Sequence, residues 1–295
     1  MNKRTALEIR LAVFAALAVL IVVVAAFADL LCPLDPYAQD LSAALQAPSA
    51  DHLLGTDRYG RDLLSRVIVG TQSSVFSTLA LIALMAAIGT FAGVVCAWFS
   101  GKLDALLMRL SDVFLAFPGL VFALAVSGAI GGGMSGAVIA LAAIGWPKYA
   151  RLAHGLALAQ KNETYIRAAR MSGCSSMGVV LRHVLPNIAG PLVVTAMLDI
   201  GTMMMELAGL SFLGLGAQPP LAEWGSMMSD NRSLMQVAPW TILAPGLAIF
   251  VTVIVFNLLG DTLRDRMDYG DAEAFGIASD KARAEGASRG VPNPS

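Results

Sequence analysis

Two carboxylates sit within a strongly apolar run of this chain, Asp199 and Glu206 in LDIGTMMMELAGL. They are seven residues apart, two helical turns, so they share one face of a helix with Met203 between them. Such a pair can act as acid and base, hold a metal ion, or line a path for a cation; placed within a membrane span, it marks a path first. It can equally hydrogen-bond neighbouring helices and set their packing. An enzyme would need more: His52, His154 and His183 are scattered, and no nucleophile or metal motif accompanies the carboxylates. Met203, Met204, Met205, Met227, Met228 and Met235 offer soft thioethers to a transition metal in transit. Methionine is also an ordinary packing residue, and no firm metal site is assigned. No G-x-x-x-x-G-K-[ST] phosphate loop is present; SGKLD at Ser100–Asp104 lacks the first glycine at the right spacing and the Ser or Thr. This chain is expected to bind no cofactor and to catalyse nothing itself.

The elements that carry these residues follow from composition. The 295 residues are 57% hydrophobic and 14% charged, with a mean hydropathy of +0.69, which places the chain among membrane proteins. A net charge of −1 speaks against nucleic acid as a partner. Apolar stretches at Leu11–Leu31, Val75–Phe99, Val113–Ile130, Ser135 toward Leu158, Leu192–Leu213 and Trp240–Leu259 each reach or approach the roughly 20 residues that cross a bilayer core. The reading is an all-α membrane protein with six transmembrane helices. In the fifth, two acids cost roughly 5–7 kcal/mol on an insertion scale, while its Leu, Ile, Val and Phe residues return about 3–6. That balance requires the acids to face protein or a watery cavity.

The first stretch could be a signal peptide ending at Ala26–Ala28, but its apolar run is too long for a typical signal core and is read as uncleaved. With the N-terminus inside, sixteen Lys and Arg lie in inner segments and four, Arg58, Arg61, Arg66 and Arg232, outside. The positive-inside rule then gives N-in/C-in. Residues 1–10 form a cytoplasmic N-terminus, 11–262 the membrane domain, and 263–295 a cytoplasmic tail expected to be disordered. Pro118 should kink the third span, and Gly131–Gly133 form a tight turn before the fourth. Cys32, Cys96 and Cys174 lie at different depths and are read as filler.

One inner segment fits neither lipid nor a plain loop: YIRAARMSGCSSMGVVLRHVLPN, Tyr165 to Asn187. Glu163–Ser172 reads as a short helix that Gly173 terminates. Ser175 or Ser176 caps a second helix, with an apolar stripe of Met177, Val180, Leu181 and Val184 and its end at Pro186. Such a corner at about 163–187 either rests on lipid or docks in a groove of a soluble partner.

This stretch resembles the cytoplasmic signature loop of bacterial ABC-importer permeases: E-A-A, three residues, G, nine residues, I-x-L-P. Ala168, Ala169, Gly173, Leu185 and Pro186 match with both spacings intact, while Arg167 replaces the Glu and His183 the Ile. Arg in the first position is common in the peptide and nickel branch of that family. LGTDRYGRDLLSR, LSFLGLG and GDTLRDRMD are similar to that branch at corresponding points, so the likeness runs from about Cys32 to Asp268.

The resemblance implies a type I ABC importer permease fold in the bacterial inner membrane, multi-pass. It also implies a second homologous permease, two ATPase subunits that use the ATP, an extracytoplasmic substrate-binding protein, and surrounding lipid. Arg167, Ala168, Ala169, Gly173, Leu185 and Pro186 would couple to the ATPases, and Asp199, Met203 and Glu206 are candidates for the path. In the outer segment Gln218–Arg232, Pro219, Pro220 and Trp224 are candidates for receiving the binding protein; Trp224 could instead anchor at the membrane interface. LDIGTMMMELAGLSFLGLG and AEWGSMM look more like the nickel-type permeases, which makes nickel or a small chelate the leading cargo. Di- and oligopeptides, glutathione-like ones included, are the alternative. A stand-alone secondary transporter should show inverted repeats, and none is visible.

Overall fold

The computed structural model describes residues 3–99 and 101–288, with side chains over 5–99 and 101–267. The chain runs α1 (Lys3–Ala26), α2 (Ala28–Leu31), α3 (Leu63–Phe99), α4 (Lys102–Ala116), α5 (Gly119–Ala129), α6 (Gly133–Lys161), α7 (Thr164–Met171), α8 (Ser176–Val179), a π turn at Val180–Val184, α9 (Leu185–Phe212), α10 (Trp224–Asn231) and α11 (Trp240–Ser288). It is an all-helical membrane protein. Among the described residues four helices are long and apolar enough to cross a bilayer, at Thr5–Ala26, Leu63–Phe99, Ser176–Phe212 and Trp240–Met267. The pair α4 and α5, bent by 96°, makes a fifth if counted as one span. Six spans were expected. The difference is α6, 29 residues long, where Pro147, Lys148, Arg151 and His154 dilute the apolar half.

Small residues let α3 and α6 approach closely. A Cβ on Gly89 would lie 2.4 Å from the Trp146 carbonyl oxygen, and one on Gly93 would lie 2.2 Å from that of Ala150. Opposite them Tyr149, Ala150, Ala153 and Ala157 are fully buried. Lipid supplies no hydrophobic drive between helices, so backbone-close packing of this small-xxx-small kind must hold them. The core around this seam includes Leu81, Met85, Leu141, Tyr149 and Leu207, and extends to Ile166, Val184 and Ile188 near the 163–187 corner. At the opposite end Leu63, Val75, Met204, Trp224 and Met227 form a second cluster.

Several boundaries differ from expectation for local reasons. The helix assigned from Val75 begins at Leu63, because Asp62 caps it: its Oδ2 accepts the Ser65 N–H at 2.8 Å and the Ser65 hydroxyl at 2.7 Å. Behind that cap Arg61 donates to Asp57 at 2.7 Å and Arg66 Nε lies 3.6 Å from the same carboxylate, all three nearly buried. The inner segment before the third span is helical, α4. Phe117, forced extended (ψ 143°) by the following Pro118, then breaks the helix outright rather than kinking it.

Pro186 does not end a helix. The π turn lets the Leu185 N–H reach the Val180 carbonyl, five residues back, and this widened turn absorbs the proline, so the helix continues to Phe212. The tail, expected to be disordered, is helical to Ser288; Ala, Glu, Lys and Arg there are good helix formers. Residues 289–295 lie outside the described residues.

Candidate functional site

The corner forms from local chemistry. After α7, Gly173 adopts φ +86°, the Cys174 N–H bonds to the Ala169 carbonyl at 3.1 Å, and the Gly173 N–H bonds to that of Arg170 at 3.0 Å. This is a Schellman closure, which needs a left-handed residue and finds the glycine. Ser175 Oγ then accepts the Gly178 N–H at 3.1 Å and starts α8.

Three ties hold the corner to the bundle. Lys161 donates to the carbonyls of Ala97 and Trp98, both at 2.9 Å, satisfying the open C-terminal end of α3. The Arg170 guanidinium lies 4.6 Å above the Trp98 ring. Asn187 donates to the Tyr165 hydroxyl at 2.9 Å and to the His183 carbonyl at 2.7 Å, while Tyr165 bonds to Gln160.

The expected coupling residues divide accordingly. Arg167, Ala168, Gly173 and Pro186 are exposed, Ala169 and Leu185 half-buried. The Arg167 guanidinium donates to the Asn162 carbonyl at 2.8 Å. Inward, Ile166, Val179 and Val184 are fully buried. The expected stripe splits, because the π turn rotates the helix beneath it: Val180 and Val184 face the core, whereas Met177 and Leu181 are 61% and 56% exposed. With Phe91, Trp98 and Leu185 those two line an apolar groove of about 470 Å³ against α3.

Asp199 and Glu206 meet different surroundings despite their shared face. Asp199 Oδ1 lies 2.5 Å from Lys148 Nζ, and its Oδ2 accepts the Tyr149 hydroxyl at 3.0 Å. These three tie α6 to α9, so Asp199 is engaged as the packing alternative required. Glu206 is half-buried and has no hydrogen-bond or ion-pair partner among the described residues. Met203 packs between apolar clusters. The other methionines do not converge: Met204 and Met227 are buried in one core, and Met205 and Met228 line an apolar groove between α9, α10 and α11. Among the described residues no group of three or more His, Cys, Asp and Glu could hold a metal.

At the other end Pro219 and Pro220 are exposed. Trp224 is not: it is 2% exposed, its indole N–H donates to the Val67 carbonyl at 3.0 Å, and its ring abuts Gly70. It is a core residue here, neither a free docking surface nor an interface anchor. Beside it Glu223 caps α10, accepting the Gly225 and Ser226 N–H groups at 2.9 Å each. Burial pushes the Glu223 carboxyl up from the usual range, while those two N–H groups pull it back down.

Sequence reasoning placed Lys148 among the sixteen inner-segment cations rather than within a helix midway along a span, and it missed Tyr149 and Glu223. A signal existed for Lys148: a lysine midway along one helix calls for a carboxylate at the same depth, and Asp199 lies midway along another.

Residues 89–269 match the family described as binding-protein-dependent transport system inner membrane component. Over 251 residues, 85% of this chain, it is 44% identical to the glutathione transport system permease protein GsiD of Escherichia coli O157:H7, covering 83% of that protein. The same figures hold for GsiD of Shigella sonnei (strain Ss046). Among solved structures, an inward-facing conformation of the MetNI methionine ABC transporter matches with a TM-score of 0.55, covering 69% of this chain and 97% of that one. Its 18% identity makes this a likeness of fold alone.

Proposed function

The chain belongs to the family of inner-membrane components of binding-protein-dependent transport systems, and on that premise we propose that it carries a small peptide of the glutathione kind. It is a multi-pass permease subunit of an ABC importer and no catalyst; ATP is used by ATPase partners. The observation that carries the peptide reading is 44% identity over 251 residues to permeases named for glutathione transport. The nickel preference rested on the likeness of LDIGTMMMELAGLSFLGLG and AEWGSMM to nickel-type permeases; of their methionines, Met204 and Met227 are buried in a core and Met205 and Met228 line an apolar groove. Nothing else on the chain favours it.

The chain pairs with a second permease, two ATPase subunits and a substrate-binding protein. Its topology is six spans, N-in and C-in, the broken pair α4–α5 serving as the third and α6, shielded by its neighbours, as the fourth. Arg167, Ala168, Ala169, Gly173, Leu185 and Pro186 form the corner that docks on an ATPase. Its ties to α3 and α9 give closure of the ATPases a stiff route into the bundle. Glu206 lines the path, while Asp199 acts through its partners. Pro219 and Pro220 remain the contact for the binding protein, on a segment that Trp224 supports from within.

Accumulation of labelled glutathione and of nickel in cells with and without this chain, partner subunits present, tests the cargo. Glutathione uptake that depends on the chain is expected. Nickel uptake that depends on it, with glutathione unaffected, restores the metal reading.

A further inference from the structure

Asp199 does not depend on Lys148 alone. Asp199 is held twice, on separate oxygens and by very different side chains. Tyr149, on Oδ2, is fully buried and fixed. Lys148, on Oδ1, is 53% exposed and sits on a flexible stem. If Lys148 swings away, Asp199 keeps the Tyr149 hydroxyl. If Lys148 stays, it still has N–H groups free to face outward, since an ammonium carries three donors.

Where that exposed half faces is constrained. Lys148 and Asp199 each lie near the middle of their helices, α6 and α9. A lysine at such a depth costs about 2.5–3.5 kcal/mol or more against lipid, so it belongs beside water or protein. Glu206 lies two turns beyond Asp199 on the same face, with exposed Thr202 between. The cluster therefore presents both signs. Lys148 neutralises Asp199, and Glu206 supplies a separate carboxylate.

We infer that Lys148 is a cargo-contacting residue, whose ammonium receives the carboxylate of a peptide in transit by exchanging it for Asp199, while Glu206 receives the peptide's ammonium. This deepens, and rests on, the peptide reading above. The dimensions agree: Asp199, which Lys148 touches, and Glu206 stand two helical turns apart, about 10–11 Å along the axis, and three extended residues reach about 10–11 Å. A bare divalent cation fits worse, because Lys148 repels it where Asp199 would attract it.

The complete transporter, reconstituted in vesicles with its binding protein, tests this with labelled glutathione as the probe. Lys148→Gln is compared with the double variant Lys148→Gln/Asp199→Asn, and assembly of each is read by co-purification of the subunits. Assembled Lys148→Gln should lose roughly tenfold or more in uptake, the scale of one charge-assisted hydrogen bond, and the double variant should stay impaired. A lysine that merely neutralises Asp199 would be rescued in the double variant, which overturns the proposal. So do unchanged uptake in Lys148→Gln, or failure of assembly in both variants, which places Lys148 in the subunit interface. Wild-type vesicles that take up no glutathione overturn the peptide reading and this role with it; wild-type uptake with any of the preceding results overturns this role alone.

Discussion

At the scale of single residues, the chain divides into positions whose role is written locally and positions whose role needs a distant partner. Gly173 and Ser175 are of the first kind: a left-handed stop followed by a hydroxyl cap is a nearest-neighbour pattern, and both bonds form as the sequence suggests. A non-glycine residue at φ +86° is strained, although open space surrounds the site. Gly173→Asp should therefore leave membrane insertion intact while abolishing ATP-driven uptake and weakening ATPase association; Gly173→Asn, which tolerates that backbone better, should retain more of both. Normal uptake and association in the Asp variant would remove the coupling role. Asp199 is of the second kind. Its partners stand 50 and 51 residues away on α6, beyond any local pattern. Asp199→Ala should cost about 1–3 kcal/mol by stranding the buried Tyr149 hydroxyl, seen as a lower melting temperature of the purified complex. Glu206→Gln strands nothing, and should lower uptake at an unchanged melting temperature.

At the scale of elements, apolar length located the helices but not their ends or contacts. Length alone could not reveal that Asp62 starts α3 twelve residues early, because a cap is a matter of hydrogen-bond geometry. Nor could it reveal that a π turn carries a helix through Pro186. Packing partners were equally hidden, and Gly89 and Gly93 gain meaning only once α6 lies against them. Gly93→Val would drive a branched side chain into the Ala150 carbonyl, so α3 and α6 must part. The variant should fail to yield a folded subunit, read as proteolysis of the chain in isolated membranes. Trp224 was read as a surface residue because its segment is polar and proline-rich, yet its ring fills the seam between α3 and α10. Trp224→Ala should cost about 3–5 kcal/mol of stability, whereas Trp224→Phe keeps most of the packing and loses only the indole hydrogen bond, about 0.5–1.5 kcal/mol. Equal stability for both variants, with a selective loss of binding-protein association, would restore the docking reading.

At the scale of the whole molecule, two ends of one bundle carry the two kinds of chemistry. The corner closes one end through α3, α7 and the start of α9, and the α10 segment with its buried Glu223 cap closes the other. Between them small residues seat α6 against α3, and the Lys148–Asp199 pair ties α6 to α9; the proposed coupling role would send a push from the corner along these contacts. Family was legible in the sequence because spaced motifs run along much of its length, and the all-helical membrane class because apolar runs recur; the six-span count was not, since α6 carries polar residues in its second half. Cargo was not, since the stretches LDIGTMMMELAGLSFLGLG and AEWGSMM carry no group that would tell a metal from a peptide, and methionine reads the same whether its thioether packs or binds. The most direct measurement is ATP-dependent uptake of labelled glutathione into proteoliposomes that hold this chain with its second permease and ATPases, the binding protein supplied outside. The account predicts accumulation that requires ATP, the binding protein and an intact Gly173. Accumulation that persists without ATP or with Gly173→Asp, or none under any condition, would contradict it.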